Sequence, residues 1–279
     1  MADIYNQMLS RYSIKTKEDR LNAVHEVMQQ ICLAGLNRAG FFEKAAFYGG
    51  TCLRIFHGLA RFSEDMDFSL TETDTSFNLE NYFEAILNEF LLLGREVSIQ
   101  KKEKKQTTNI ESAFLKDSTD IVNIRFQTEP STKIRIEVDK IPPLKFDTEH
   151  KLLLLPFSFM TRCFTLPGLF AGKMHALLFR KWRNRVKGRD WYDFEWYIRN
   201  NIPLDFNHFK ERATQSEGID FKNLSKEEFS YILQEKIRGT KIEMVKTDVR
   251  RFVLNPSELE IWSTDYFLQL AEFLTIKND

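Results

Sequence analysis

No sign of charge prevails in this chain: 40 Lys and Arg stand against 40 Asp and Glu in 279 residues. A protein-wide basic field for nucleic acid is thereby excluded, and such a partner has to be met by a local patch. Cysteine is scarce. Cys32, Cys52 and Cys163 are odd in number, scattered, and without the paired spacing of metal ligands. Reduced thiols of a cytoplasmic protein are expected rather than a disulfide framework. No apolar run reaches the ~18 residues that a membrane span needs. The start, Met-Ala-Asp-Ile-Tyr, lacks a basic region followed by an apolar one, so no signal peptide is expected. Repeats at solenoid periods are missing too. His25, His57, His150, His175 and His208 do not pair at zinc-ligand spacing. Neither a Ser/His/Asp or Cys/His arrangement nor a dinucleotide glycine fingerprint is suggested.

What is there is a core. Hydrophobic residues make up 43% of the chain and 25 of them are Phe, so a soluble, aromatic-rich interior is expected. Thr16-Lys17-Glu18-Asp19 reads as a capped helix start, and Leu21, Val24, Met28, Ile31 and Gly35 follow at helical spacing to about Leu36. Ala45–Tyr48 suits a buried strand. Thr51 then caps a helix to about His57, which Gly58 ends. Asp65–Leu70 alternates, with Met66, Phe68 and Leu70 on one face and Asp65, Asp67 and Ser69 on the other. A helix over Asn78–Leu93, a strand over Val97–Lys101 and a charged loop over Lys101–Lys105 come next. Asp120–Phe126 and Lys133–Asp139 form a hairpin turning at Thr128–Ser131. Leu152–Leu155 adds an edge strand before Pro156. From about Pro167 the pattern is helical: Leu169–Trp182, Arg189–Arg199, a helix opened by the Ser225–Glu228 capping box, and one opened at Ser257. The expected class is α+β, with a mixed sheet in 1–160 and a mainly helical domain in 161–279.

The chemistry concentrates between Phe47 and Leu70. Gly49 and Gly50 let backbone approach a phosphate, and the helix they open turns N–H groups and a positive dipole end toward an anion. Asp65 and Asp67, two apart on a strand, project side by side about 6–7 Å apart. Paired acids repel unless a cation lies between them. Mg²⁺ (or Mn²⁺) with substrate phosphates fits such a pair. A third carboxylate on a neighbouring strand completes the site; Glu137 and Asp139 both qualify by direction, and Glu137 lies nearer the middle of its strand.

Gly49-Gly50-Thr51 followed by Asp65-Met66-Asp67 resembles the polymerase-β-type nucleotidyltransferase signature. With Arg54, with Arg61-Phe62-Ser63-Glu64, with Ala171-Gly172-Lys173-Met174-His175-Ala176 and Arg180, and with Arg189-Asp190-Trp191-Tyr192-Asp193, the chain resembles the AbiEii/AbiGii toxin family over 47–195. The resemblance implies a polymerase-β-like core and transfer of nucleotides from an NTP, in some members to the 3′ end of tRNA. It also implies a separately encoded antitoxin.

Lys173 and Arg180 lie two turns apart on one helix face, within reach of an NTP triphosphate. Lys173 sits in an apolar run, where an ammonium needs a partner or an anion. Asp190 and Asp193 share a face. Asp190 is expected to orient Lys173 or act as a base, and Asp193 to pair with Arg189 or a neighbouring Arg. Ser63 contacts phosphate or shapes the turn, and Arg54 and Arg61 bind phosphate or pair with the acids. The Arg180–Arg189 stretch is a candidate RNA-backbone patch. The candidate metal set is therefore Asp65, Asp67 and Glu137, the nucleotide set Gly49, Gly50, Thr51, Arg54, Ser63, Lys173 and Arg180, and the catalytic set adds Asp190. A site walled by both halves is expected. Transfer to a protein hydroxyl, or to a Ser of its own, and a non-catalytic binding module are the alternatives.

Overall fold

A computed structural model describes residues 3–101, 119–126, 133–180 and 186–277. The charged run beyond Lys101, the turn at 128–131 and half of the basic stretch, 181–185, lie outside these residues. The chain divides into two compact units. The first is Met1–Gly58, Ser63–Pro142 and Thr148–Cys163. The second is Leu59–Phe62, Pro143–Asp147 and Phe164–Asp279. Two short segments, one of them holding Arg61, thus leave the sequence neighbourhood of the first unit and fold with the second.

In the first unit, helix Lys17–Arg38 starts from the expected capping box, with Thr16 and Asp19 satisfying each other's backbone N–H groups. It packs on helix Phe83–Leu92 at Gly35. A methyl there would stand 2.7 Å from Ile86 Cα and 3.0 Å from Ala85 O, so backbone meets backbone. The sheet has seven strands in the order β3-β4-β5-β2-β1-β7-β6. They are β1 Ala45–Tyr48, β2 Asp65–Leu70, β3 Val97–Lys101, β4 Thr119–Phe126, β5 Lys133–Asp139, β6 Thr148–Leu153 and β7 Phe159–Phe164. β4 and β5 form the expected antiparallel hairpin, whereas β2 runs parallel to β5 and β1 parallel to β7. Aromatic rings fill the space behind β2: Phe47 stacks on Phe68 at 4.9 Å, and Phe41 meets Phe68 and Tyr82 edge-on at 5.0 Å.

Two expectations need correction here. The edge strand lies at Thr148–Leu153 rather than 152–155. Leu152 and Leu154 are exposed, so the apolar run marks an outward-facing edge and not a buried strand. β7 was not foreseen. Met160 is exposed and Arg162 half-buried between buried Phe159, Thr161 and Cys163, and its polar residues hide a core strand.

The second unit is helical. Leu166–Phe179 begins three residues earlier than expected and ends at Arg180, whose backbone is extended. Gly188–Arg199 and Lys226–Arg238 fall where expected, the latter with its Ser225–Glu228 capping box. Phe206–Glu217, capped by Asp205, and Ile242–Val249 were not foreseen. The helix expected from Ser257 is broken. Asn255 caps a single 3₁₀ turn over Pro256–Leu259, and Ser263 caps Thr264–Glu272. Trp262 fills the break and donates its indole N–H to Glu195 Oε2 at 2.7 Å. Among the described residues no helix is long and apolar enough to cross a membrane.

Candidate active site

β1 runs straight into helix Gly49–His57. The join needs glycine twice over. Gly49 has φ +79°, a left-handed backbone, and a Cβ on it would lie 2.4 Å from Asp67 Oδ2. The Gly49 backbone therefore packs directly against the Asp67 carboxylate. The helix carries no side-chain cap. Thr51 was expected to be that cap; instead it is fully buried and its hydroxyl donates to the Asp65 carbonyl. It ties the helix to the first residue of β2.

On β2, Asp65 and Asp67 are half-buried on one face while Met66 and Phe68 are buried on the other. Ser69 departs from the alternation and is buried as well. The parallel register pairs Asp67 with Glu137, Asp65 with Arg135 and Ser69 with Asp139. Register partners on adjacent strands point to the same face at about 4.8 Å strand spacing. Glu137 is thus the acid beside Asp67. Asp139 lies one step beyond and accepts the Ile141 N–H at 3.1 Å. Arg135 forms an ion pair with Glu137, so a cation stands among these acids. Among the described residues, no three His, Cys, Asp or Glu side chains converge as a metal set. The face offers paired carboxylates, which suits a hard cation that completes its shell with water and phosphate oxygens.

Supporting contacts hold this strand in place. Gln29, buried on helix Lys17–Arg38, donates to the carbonyls of Ser63 at 3.0 Å and Glu64 at 3.2 Å, just ahead of Asp65. Gln29 was not singled out in the sequence, where it adjoins Gln30 and follows His25 and Glu26 by one helical turn. Arg54 Nε donates to Glu26 Oε2 at 2.8 Å, and Tyr12 donates to the other oxygen at 2.9 Å. Arg54 thus lies against a carboxylate of the neighbouring helix.

The second unit gathers its own charged cluster. Lys173 Nζ donates to Asp190 Oδ1 at 2.8 Å and pairs with Asp193 Oδ2 at 2.7 Å. Arg61 donates to both oxygens of Asp193, from Nε at 2.6 Å and from Nη2 at 2.5 Å. Arg180 approaches Asp190 Oδ2 at 3.4 Å. Asp190 therefore pairs with Lys173. Asp193 pairs with Arg61 and Lys173, not with Arg189, whose guanidinium lies over the Phe252 ring at 4.2 Å. Arg61 is only 2% exposed and Asp193 0%. Burial is the strongest influence on each carboxyl and opposes ionisation. The cations outweigh it, Lys173 first for Asp190 and Arg61 first for Asp193, and hold both below the usual carboxylate range. Two anions bridged by two cations give an ammonium fixed in direction.

The expected residues thus fall into two groups: Gly49, Gly50, Thr51, Asp65, Asp67 and Glu137 in the first unit, and Lys173, Arg180, Asp190 and Asp193 in the second. Among solved structures, JHP933 from Helicobacter pylori shares the fold, with a TM-score of 0.54 at 15% identity over 93% of this chain and 92% of that one. A second H. pylori protein, a candidate nucleotidyltransferase, gives a TM-score of 0.47 at 16% identity over 88% and 89%. No curated protein sequence matches the chain. Residues 31–278 match the profile described as nucleotidyl transferase AbiEii toxin, type IV toxin–antitoxin system. The chain belongs to the AbiEii nucleotidyl transferase toxin family, whose type IV systems imply a cognate antitoxin.

Proposed function

We propose that this protein is a metal-dependent nucleotidyltransferase that moves the NMP of an NTP to the 3′ hydroxyl of an RNA, tRNA foremost. The register of β2 with β5 carries the proposal. It sets Glu137 beside Asp67, with Asp65 on the same face and the Gly49 backbone against Asp67. Asp65 and Asp67 would hold Mg²⁺ or Mn²⁺, with Glu137 alongside as the third acid. When bound, the ion supplies a Lewis acid to the phosphate oxygens.

The remaining steps belong to the chain. Gly49 lets its backbone lie against the Asp67 carboxylate, and the helix it opens turns backbone N–H groups toward a phosphate. Glu137, ion-paired with Arg135, takes the proton of the acceptor hydroxyl. The hydroxyl oxygen bonds to the α-phosphorus, the bond from that phosphorus to the oxygen bridging the β-phosphate breaks, and pyrophosphate leaves. Within the second unit, Lys173, held by Asp190 and Asp193, is a directed cation of the kind that stabilises phosphate charge.

Incubation with total tRNA and each NTP, labelled at the α- or the γ-phosphate, tests the reading. Label is expected on RNA from the α-position only, and Asp67→Asn should abolish it without loss of fold. Label on protein instead would move the acceptor to a protein hydroxyl. Transfer that survives Asp67→Asn would sink the assignment of the carboxylates.

A further inference from the structure

The second unit contains a cavity of about 350 Å³. Four helices meet around it: the end of Leu166–Phe179, the start of Gly188–Arg199, the end of Lys226–Arg238 and the start of Ile242–Val249. Its charged lining is Arg180, Lys187, Lys236 and Lys241 against a single acid, Asp190. Four cations less one anion leave a formal excess of +3. Asp190 is moreover already shared between Lys173 and Arg180. Apart from Thr240, the remaining side chains of the wall are apolar, with Leu177, Val186, Trp191 and Met244 among them.

Local geometry adds to the excess. Lys187 and Lys241 occupy the N-cap positions of their helices, and neither helix has a side-chain cap from its own N-cap residue. A cation at the positive end of a helix dipole is the reverse of the ordinary preference. Asp248 offsets part of it by accepting the Gly188 N–H at 2.9 Å. The two helix starts are locked together at Gly188, where a methyl would stand 2.2 Å from the Val245 carbonyl. Burial, then Arg180, pushes the Lys187 ammonium down to about 8. The protein holds like charges close together in a half-enclosed space, against their mutual repulsion. An anion of two or more charges relieves that cost.

We propose that this cavity binds a phosphate-bearing nucleotide unit, with the phosphate on Arg180, Lys187, Lys236 and Lys241 and the nucleoside against Trp191 and Met244. The phosphate class follows from the cavity itself; its service to the transfer reaction rests on the function proposed above. Two sources carry this chemistry, the triphosphate of an NTP and the phosphodiester of an RNA strand.

Equilibrium binding to the full-length protein separates them. The probes are inorganic triphosphate, each NTP, and a short single-stranded RNA with a free 3′ hydroxyl. The proteins are wild type, Lys236→Ala/Lys241→Ala and Lys236→Glu, whose substitutions leave the packed core untouched. At least a ten-fold loss of affinity is expected in both variants, with unchanged melting temperature. If the source is the NTP, triphosphate and NTP weaken together. If it is RNA, only the oligonucleotide weakens, and its salt dependence flattens by about 0.7 in log–log slope for each phosphate no longer neutralised. Changes under two-fold for every probe in both variants, or a wild type that binds none of them, overturn the proposal. Because no turnover is needed, binding that persists where no label is transferred would defeat the transfer reading alone.

Discussion

Removing the Arg61 guanidinium should destabilise the second unit far more than the loss of an ordinary surface arginine would. In Arg61→Leu, Asp193 loses two hydrogen bonds of 2.6 and 2.5 Å and keeps only the Lys173 ammonium at 2.7 Å. Breaking a buried pair by deleting one partner costs about 3–5 kcal/mol, because the remaining charge stays dehydrated. Lys173→Met is the comparison. It takes one cation from two carboxylates, yet leaves Arg61 on Asp193 and Arg180 on Asp190, so its cost should be the smaller. Trp191, Trp196 and Trp262 lie in the second unit, so their fluorescence follows that unit. With a urea slope of about 2 kcal/mol/M, Arg61→Leu should lower the midpoint by roughly 1.5–2.5 M. Asp193 has a depressed folded pKa, so its pairing stabilises fully above the unfolded value near ~3.9 and is lost as pH falls through the folded value. The gap between wild type and variant should therefore narrow in acid below about pH 4. Replacing both partners, as in Arg61→Met/Asp193→Leu, should recover part of the loss. A midpoint shift under ~0.5 M in Arg61→Leu, or a larger one in Lys173→Met, would refute this account.

Three other outcomes are expected. Gly49→Ala forces a left-handed φ on alanine and drives a methyl to 2.4 Å from Asp67 Oδ2, so nucleotide labelling should be lost while the tryptophan-detected urea midpoint stays put. Gly35→Ala overpacks a backbone-to-backbone helix contact and should cost about 1–3 kcal/mol, read as faster amide exchange in helices Lys17–Arg38 and Phe83–Leu92. Lys187 faces Arg180, Lys173 and Arg189 with Asp190 as its counterion, and titrates at about 8. An anion in the cavity raises that value. Triphosphate binding should then take up protons at pH 8.5 and almost none at pH 6.5, measured calorimetrically in two buffers of different ionisation enthalpy; no uptake at pH 8.5 removes Lys187 from the site.

Much of this was legible in the residues, for identifiable reasons. The carboxylate face of β2 follows from period-two alternation, and the long helix from its capping box. The register sets Glu137 opposite Asp67 and Asp139 opposite Ser69. Seeing it required that β2 pair in parallel with a strand some seventy residues away, which no local pattern encodes. Arg61 and Asp193 were visible as charges beside motifs, but their union was not. Burial of a charge depends on a partner brought by tertiary folding, and sequence spacing carries no trace of it. Thr51 shows the same limit at short range. Its hydroxyl was free to cap a helix or to reach a carbonyl, and the close approach of Asp65 decides for the carbonyl. The Ser257 helix failed where two capping signals, Asn255 and Ser263, competed within nine residues.

The Arg61–Asp193 pair also sets a timetable. Its members are 132 residues apart in the chain. At translation rates of about 5–20 residues per second, roughly 7–26 s separate the synthesis of one from that of the other. During that interval the nascent chain already carries its Gly-Gly turn, soon gains Asp65 and Asp67 and gains Glu137 past the midpoint, but Arg61 has no Asp193 to meet and Lys173 arrives only near the end. The sheet waits as well, since β1 cannot receive β7 until Cys163 has been made. A family toxin that gains its buried ion pair this late passes most of its synthesis without the cluster that fixes Lys173, and a ribosome that stalls before Asp193 releases no intact one.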